Sequence, residues 1–164
     1  MHVTSWDQAN VEVRVEISVR AERQSRVDYL LDNLDVRFSE EDYRLLMRTE
    51  PDIKTKGNES FKVKYRVKVP RGNELRIGNS FGDIFIDDRE EPVEINLAYG
   101  DLKAGDFAKG GELKISFGKV EIGHFETGRL HLRYCDFFSV ESASELDLDQ
   151  QLSNVELNKV QDLR

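Results

Sequence analysis

Four cations alternate along one stretch of this chain: Lys62, Lys64, Arg66 and Lys68, with Phe61, Val63, Tyr65 and Val67 on the other parity. On a strand, successive side chains point to opposite faces, so all four charges fall on one side. Such a face can attract an anionic glycan or an acidic protein surface. The same spacing suits pairing with Glu12 and Glu16 on a second strand, or lysine protection of a sheet edge. Other reactive residue types are sparse. Cys135 is the one cysteine, and no histidine is placed to activate it. His2, His124 and His131 lack a short metal-ligand spacing and read as surface residues. The sequence therefore predicts no catalytic residue, no metal and no cofactor.

Beyond that block, the chain is organised by an internal repeat. Phe81-Gly82-Asp83-Ile84, Tyr99-Gly100-Asp101-Leu102, Phe117-Gly118-Lys119-Val120, Tyr134-Cys135-Asp136-Phe137 and Leu152-Ser153-Asn154-Val155 recur at steps of 18, 18, 17 and 18 residues. A period that short and regular predicts an all-β solenoid, a parallel β-helix with one strand set per coil of about 18 residues. Before each leading residue, alternation marks a half-buried strand: Leu75 and Ile77; Val93, Ile95 and Leu97; Leu113 and Ile115; Leu130 and Leu132; Leu146 and Leu148. Continued one step, the alternation points Phe81, Tyr99, Phe117, Tyr134 and Leu152 into the core. The next column, Gly82, Gly100, Gly118, Cys135 and Ser153, is uniformly small and predicts a corner with close backbone approach. A second corner column, Asp87, Gly105, Gly123 and Asn158, consists of types that tolerate positive φ, and a left-handed bend is expected there. Beyond it Phe107, Phe125 and Val160 form an apolar column in which Arg89 is the exception.

In-register stacking also aligns the outward columns. One reads Arg76, Glu94, Glu112, Arg129, Asp147, a ladder of mostly opposite charges worth about 0.2–1 kcal/mol per favourable pair. Another reads Asp83, Asp101, Lys119, Asp136, Asn154. Its aspartates suit either Ca²⁺ or a charge ladder, and the lysine favours the ladder. Phe85 and Phe138 are expected on the surface as candidate contact residues.

Residues 1–74 lack the period and read as a flanking block, with the solenoid over 75–164. Val11, Val13, Val15, Ile17 and Val19 alternate as one long strand. Val27, Leu30, Leu31 and Leu34 give an amphipathic helix over Arg23–Asn33, with Ser25 and Asp28 at its start. Strands follow near Val36–Phe38 and Tyr43–Met47, then Phe61–Val69, ended by Pro70. Met1-His2-Val3 with Trp6 matches Ile84-Phe85-Ile86 with Arg89, so the chain is expected to open in mid-coil, with an aromatic-glycine pair belonging just before Met1.

The chain is 34% charged with a net charge of −8, which argues against nucleic acid as a partner. It has no apolar run long enough to cross a membrane as a helix. The run Val67-Lys68-Val69-Pro70-Arg71-Gly72, then Leu75-Arg76-Ile77-Gly78-Asn79-Ser80-Phe81-Gly82-Asp83-Ile84 and the tandem aromatic-glycine coils, resembles the bacterial adhesin-type family of β-solenoid domains. Trp6-Asp7 and the strand–helix block fit the same pattern, and the resemblance covers essentially the whole chain. Cys135 and Ser153 depart from its glycine column. The resemblance implies a right-handed parallel β-helix, a location in the bacterial cell envelope or outside the cell, and no enzymatic activity. Three functions follow as expectations: a non-enzymatic surface interaction module with a glycan or protein partner; a scaffold that polymerises end to end; and, weakest, a polysaccharide-active β-helix enzyme, for which the sequence shows no cluster of acids.

Overall fold

The computed structural model describes residues 1–41, 44–51 and 55–164. In chain order the elements are β1 (His2–Trp6), β2 (Glu12–Arg20), α1 (Gln24–Asp32), β3 (Leu34–Glu41), β4 (Arg44–Pro51), β5 (Ser60–Pro70) and β6 (Leu75–Ser80). There follow β7 (Ile84–Ile86), β8 (Val93–Ala98), β9 (Leu102–Ala104), β10 (Gly111–Ser116), β11 (Lys119–Arg133), β12 (Phe137–Gln151) and β13 (Val155–Leu163). The chain forms two compact units, Met1–Arg14 with Tyr65–Arg164, and Val15–Lys64. Residues 1–14 and 65–74, which lack the 18-residue period, thus group with the coils.

The larger unit is a parallel β-solenoid. One face runs β6-β8-β10 onto the second half of β11 and of β12; the other runs β1-β7-β9 onto the first half of β11, then β12 and β13. The register is the one the repeat requires. Leu113 lies between Ile95 and Leu130, and Ile115 between Leu97 and Leu132. All of these are buried, as are Ile84, Leu102, Val120, Phe107 and Phe125, in one continuous core. β1 pairs with β7 through His2↔Phe85 and Val3↔Ile86, the register that the match of Met1-His2-Val3 to Ile84-Phe85-Ile86 implies. Trp6, expected in the phenylalanine column, pairs with Pro70 and stays half-exposed, its indole donating to the Asn10 carbonyl.

The first corner differs from the sequence expectation. Phe81, Tyr99, Phe117, Tyr134 and Leu152 are exposed, by 43% to 75%, and all five have positive φ, between 50° and 72°. The left-handed residue reverses the chain at the aromatic itself and swings its side chain outward, so alternation stops one residue earlier. Each corner N–H still feeds the ladder: Tyr99 donates to Ser116 O at 2.9 Å and Phe117 to Arg133 O at 3.1 Å. The small column has the predicted cause. A Cβ on Gly100 or Gly118 would strike the backbone of the glycine one coil below.

The second corner is also corrected. Positive φ is absent from Asp87, Gly105, Gly123 and Asn158. Gly105 and Gly123 are small because the Asp88 and Asp106 carboxylates lie where a Cβ would be. Those carboxylates accept the N–H of Asp106 at 2.9 Å and of His124 at 2.7 Å, one coil further on. Phe138, expected outside, is fully buried. One extra residue follows Tyr134, so Phe138 rather than Phe137 pairs with Val120 and Val155.

In the smaller unit, α1 buries Leu30, and β3 pairs antiparallel with β4. The helix starts at Arg23 with no side-chain cap; Gln24 bonds Asp28, so Ser25 and Asp28 do not form the expected start. Tyr43 lies outside the described residues. A bidentate Arg26–Glu59 pair, at 2.8 and 3.1 Å, holds the segment before β5 against the helix.

The corner geometry gives a reversal of the usual residue ranking. Phe125→Ala should cost about 3–5 kcal/mol, as for any emptied core site. At Tyr99, glycine should be better tolerated than alanine by about 1 kcal/mol, because alanine keeps the strained φ and loses the ring. Denaturant midpoints of the three variants decide this, and Ala above Gly at residue 99 would contradict the corner.

Candidate functional site: the outward face of the coils

The exposed corner residues form a ladder of rings. Phe81 stacks on Tyr99 at 5.2 Å between centroids, Tyr99 on Phe117 at 4.8 Å and Phe117 on Tyr134 at 5.1 Å, with planes within 9° of parallel. A left-handed non-glycine residue costs about 1–2 kcal/mol, and each stacked pair returns about 0.5–1.5 kcal/mol. Three stacks shared by four rings offset part of the backbone strain, and the in-register strand pairing on either side of the corner holds the rest. Ring faces are covered by neighbours and ring edges face water, so the ladder presents an apolar strip along the solenoid axis. The sequence held the ring positions, while the exposed direction depended on φ.

At the other margin of the same sheet lies a groove of about 500 Å³. The predicted charge ladder forms its walls in the predicted register, Arg76↔Glu94↔Glu112↔Arg129↔Asp147. Arg76 meets Glu94 at 3.4 Å, and Arg129 lies 3.9 Å from Glu112 and 3.6 Å from Asp147. Lys114, hydrogen-bonded to Glu112, holds that carboxyl below its ordinary pKa. The like-charged neighbours Glu94 and Glu112 are thus each offset by a cation.

The basic strand is as its spacing implied. Lys64 pairs with Glu16 and Lys68 with Glu12, both at 3.0 Å, and Lys68 also lies 5.1 Å over the Trp6 ring. Lys62 and Arg66 occupy the same parity of β5. The Asp83 and Asp101 carboxylates are engaged by protein: they accept the N–H groups of Asp101 at 3.1 Å and Lys119 at 2.8 Å. Among the described residues no cluster of three metal-ligating side chains occurs.

One cluster was not foreseen. His124 Nε2 lies 2.9 Å from Glu126 Oε2, and Nδ1 lies 2.9 Å from Ser142 Oγ. An ionised Glu126 fixes the proton on Nε2 and leaves Nδ1 to accept the serine hydroxyl. The structure thus joins a hydroxyl, a base and an orienting carboxylate where the sequence suggested no such column. The legible signal was the 18-residue step from His124 to Ser142. The cluster joins residues one coil apart on the paired strands β11 and β12 and forms a hydrogen-bond relay between those coils. Cys135 is buried, its thiol pushed up by desolvation. His131 faces Asp149 at 3.4 Å, and Phe85 is exposed as expected.

Arg89 explains its own exception in the Phe107 and Phe125 column. It is 1% exposed and donates to Ser5 Oγ at 2.9 Å, Pro70 O at 2.9 Å and Asn73 O at 2.6 Å. At this level the column meets backbone carbonyls rather than another ring, and burial lowers the guanidinium pKa. The arrangement as a whole defines a β-solenoid with an aromatic strip and a charged groove on one face. No protein-family model, no curated protein and no solved structure matches the chain.

Glu126 supplies a pH test. Its hydrogen bond from His124, then that from Ser144, holds its folded-state pKa below 4.5. Its stabilising contribution is therefore complete above about 4.5 and is lost as pH falls through the lower folded value. Urea midpoints measured between about pH 6 and pH 3 should fall less steeply for Glu126→Gln than for the unsubstituted chain; equal slopes would refute the relay.

Proposed function

We propose that the chain is a non-enzymatic interaction module of the bacterial cell envelope or of secreted material, and that it docks a glycan or protein along the aromatic strip. The observation that carries this reading is the ladder of four near-parallel rings, exposed to water and held at positive φ. Glycine would relieve the backbone there, and aromatic residues are kept instead. Contiguous exposed apolar surface of this kind marks contact sites, and backbone strain collects at functional positions. The family resemblance supports the envelope location. Lys62, Lys64, Arg66 and Lys68 supply a subsidiary contact for anionic partners, weakened by the two glutamate pairs already formed.

The test is sedimentation of the purified protein with isolated bacterial envelopes. Phe81, Tyr99, Phe117 and Tyr134 changed together to Gly should abolish binding while far-UV dichroism is retained. Changing the four cations to Ser should weaken binding at low salt alone, because exposed charges are screened beyond about 8 Å at physiological ionic strength. Undiminished binding of the glycine variant would overturn the reading, as would turnover of any glycan.

A second reading, end-to-end assembly, is favoured by β13. It pairs with β12 on one side, and among the described residues no strand covers its other edge. Val155, Leu157 and Val160 are half-buried at that end, and an open edge of this kind templates a further strand. Light scattering should show mass rising with concentration, and Leu157→Lys should abolish the rise. A monomer at all concentrations discards this reading.

A further inference from the structure

We infer that the charged groove binds a short stretch of a neutral, linear, polyhydroxylated chain, an uncharged glycan lying along the solenoid axis. The inference rests on the reading of the chain as an interaction module and names a ligand class for a separate part of its surface. The first ground is shape. The groove crosses five strands of one sheet, from β6 to β12, about 19 Å at the spacing of parallel strands. Its volume of about 500 Å³ is in the range of small-ligand sites. Gly111 and Gly128, register partners on β10 and β11, line its middle with backbone, because a Cβ on either would strike Val93 or the buried Phe125 and Leu146.

The second ground is charge. The cations along the walls are Arg76, Lys109, Arg129 and Arg164. The acids are Glu74, Glu94, Glu112, Glu145 and Asp147. Four against five leaves the groove within one charge of neutral, although the chain as a whole carries −8. A polyanion or polycation would meet as many like charges as opposite ones, and like-charge contacts in a groove select against both. A neutral chain meets no such penalty.

The third ground is the chemistry of the walls. Arg76–Glu94, Arg129–Glu112, Arg129–Asp147 and Arg164–Glu145 are exposed pairs, at 3.4, 3.9, 3.6 and 2.8 Å. Exposed pairs of this type contribute little to stability, about 0–1 kcal/mol each, so their members can turn toward a ligand at small cost. Guanidinium donors beside carboxylate acceptors match adjacent hydroxyls, each of which both donates and accepts. The pairs recur with the coils, as the hydroxyl groups of a linear glycan recur with its rings.

Calorimetric titration with cellohexaose, hexagalacturonate and a chitosan hexamer tests this directly. The neutral chain should bind and the two charged ones should bind at least about tenfold more weakly. Thr127→Trp, which fills the groove from an exposed position, should abolish cellohexaose binding. So should the pair Glu112→Gln with Arg129→Gln, which removes both charges at the centre of the groove, keeps the size of residue 112 and shortens residue 129. The Phe81, Tyr99, Phe117 and Tyr134 glycine variant should bind cellohexaose as the unsubstituted chain does, which separates this site from the aromatic strip. No cellohexaose binding, binding unchanged by both groove variants, or stronger binding of either charged oligomer would overturn the inference.

Discussion

In-register parallel pairing is the constraint from which the rest of this molecule follows. Each coil passes its backbone hydrogen bonds to the next, so a residue's nearest neighbours are those one repeat away rather than those beside it in sequence. Like residues therefore meet like positions. Apolar residues become a continuous core, aromatic residues a stack, and alternating charges a ladder. A conformation adopted at one corner is imposed on the next, which is how Leu152, itself not a ring, also holds φ at 50°.

The same constraint divides the fine structure between backbone and side chain. Asp83, Asp88, Asp101 and Asp106 each reach up to an N–H of the following coil. They act as side-chain extensions of the ladder at corners where strand pairing is interrupted, and satisfying those donors is worth more than leaving a carboxylate free. Arg89 serves the complementary need at the level of β1, where Pro70 and Asn73 bring carbonyls instead of donors. Polar residues on the coils are thus placed by the backbone groups that would otherwise lack partners.

Much of this was legible in the chain. The 18-residue period yields the parallel register, and the inward alternation identifies Ile95, Leu97, Leu113, Ile115, Leu130 and Leu132 as core. The ladder Arg76–Glu94–Glu112–Arg129–Asp147 also follows from it, residue for residue. Three things were hidden, each for a physical reason. The corner aromatics were assigned inward because alternation assumes extended φ, and a single left-handed residue reverses it. Positive φ was assigned to Asp87, Gly105, Gly123 and Asn158 on residue type, whereas glycine there answers to the Asp88 and Asp106 carboxylates. Phe138 was placed outside because a one-residue insertion after Tyr134 shifts the parity of everything that follows in that coil. The groove and the His124–Ser142 contact were hidden for another reason: they join residues of different coils whose side-chain directions are known only once the register is exact to one residue.

The aromatic stack has an optical consequence. Exposed tyrosines ordinarily rotate freely and contribute almost nothing to near-ultraviolet circular dichroism. Here Tyr99 is held between Phe81 and Phe117, and Tyr134 rests on Phe117, each at about the spacing of one coil. Phenol rings fixed at parallel orientation along a twisted axis form a chiral chromophore, although they stand in water. Two of the five tyrosines, Tyr99 and Tyr134, thus make the tyrosine band sensitive to the spacing of adjacent coils from the side remote from the core, and the single tryptophan, Trp6, lies on β1.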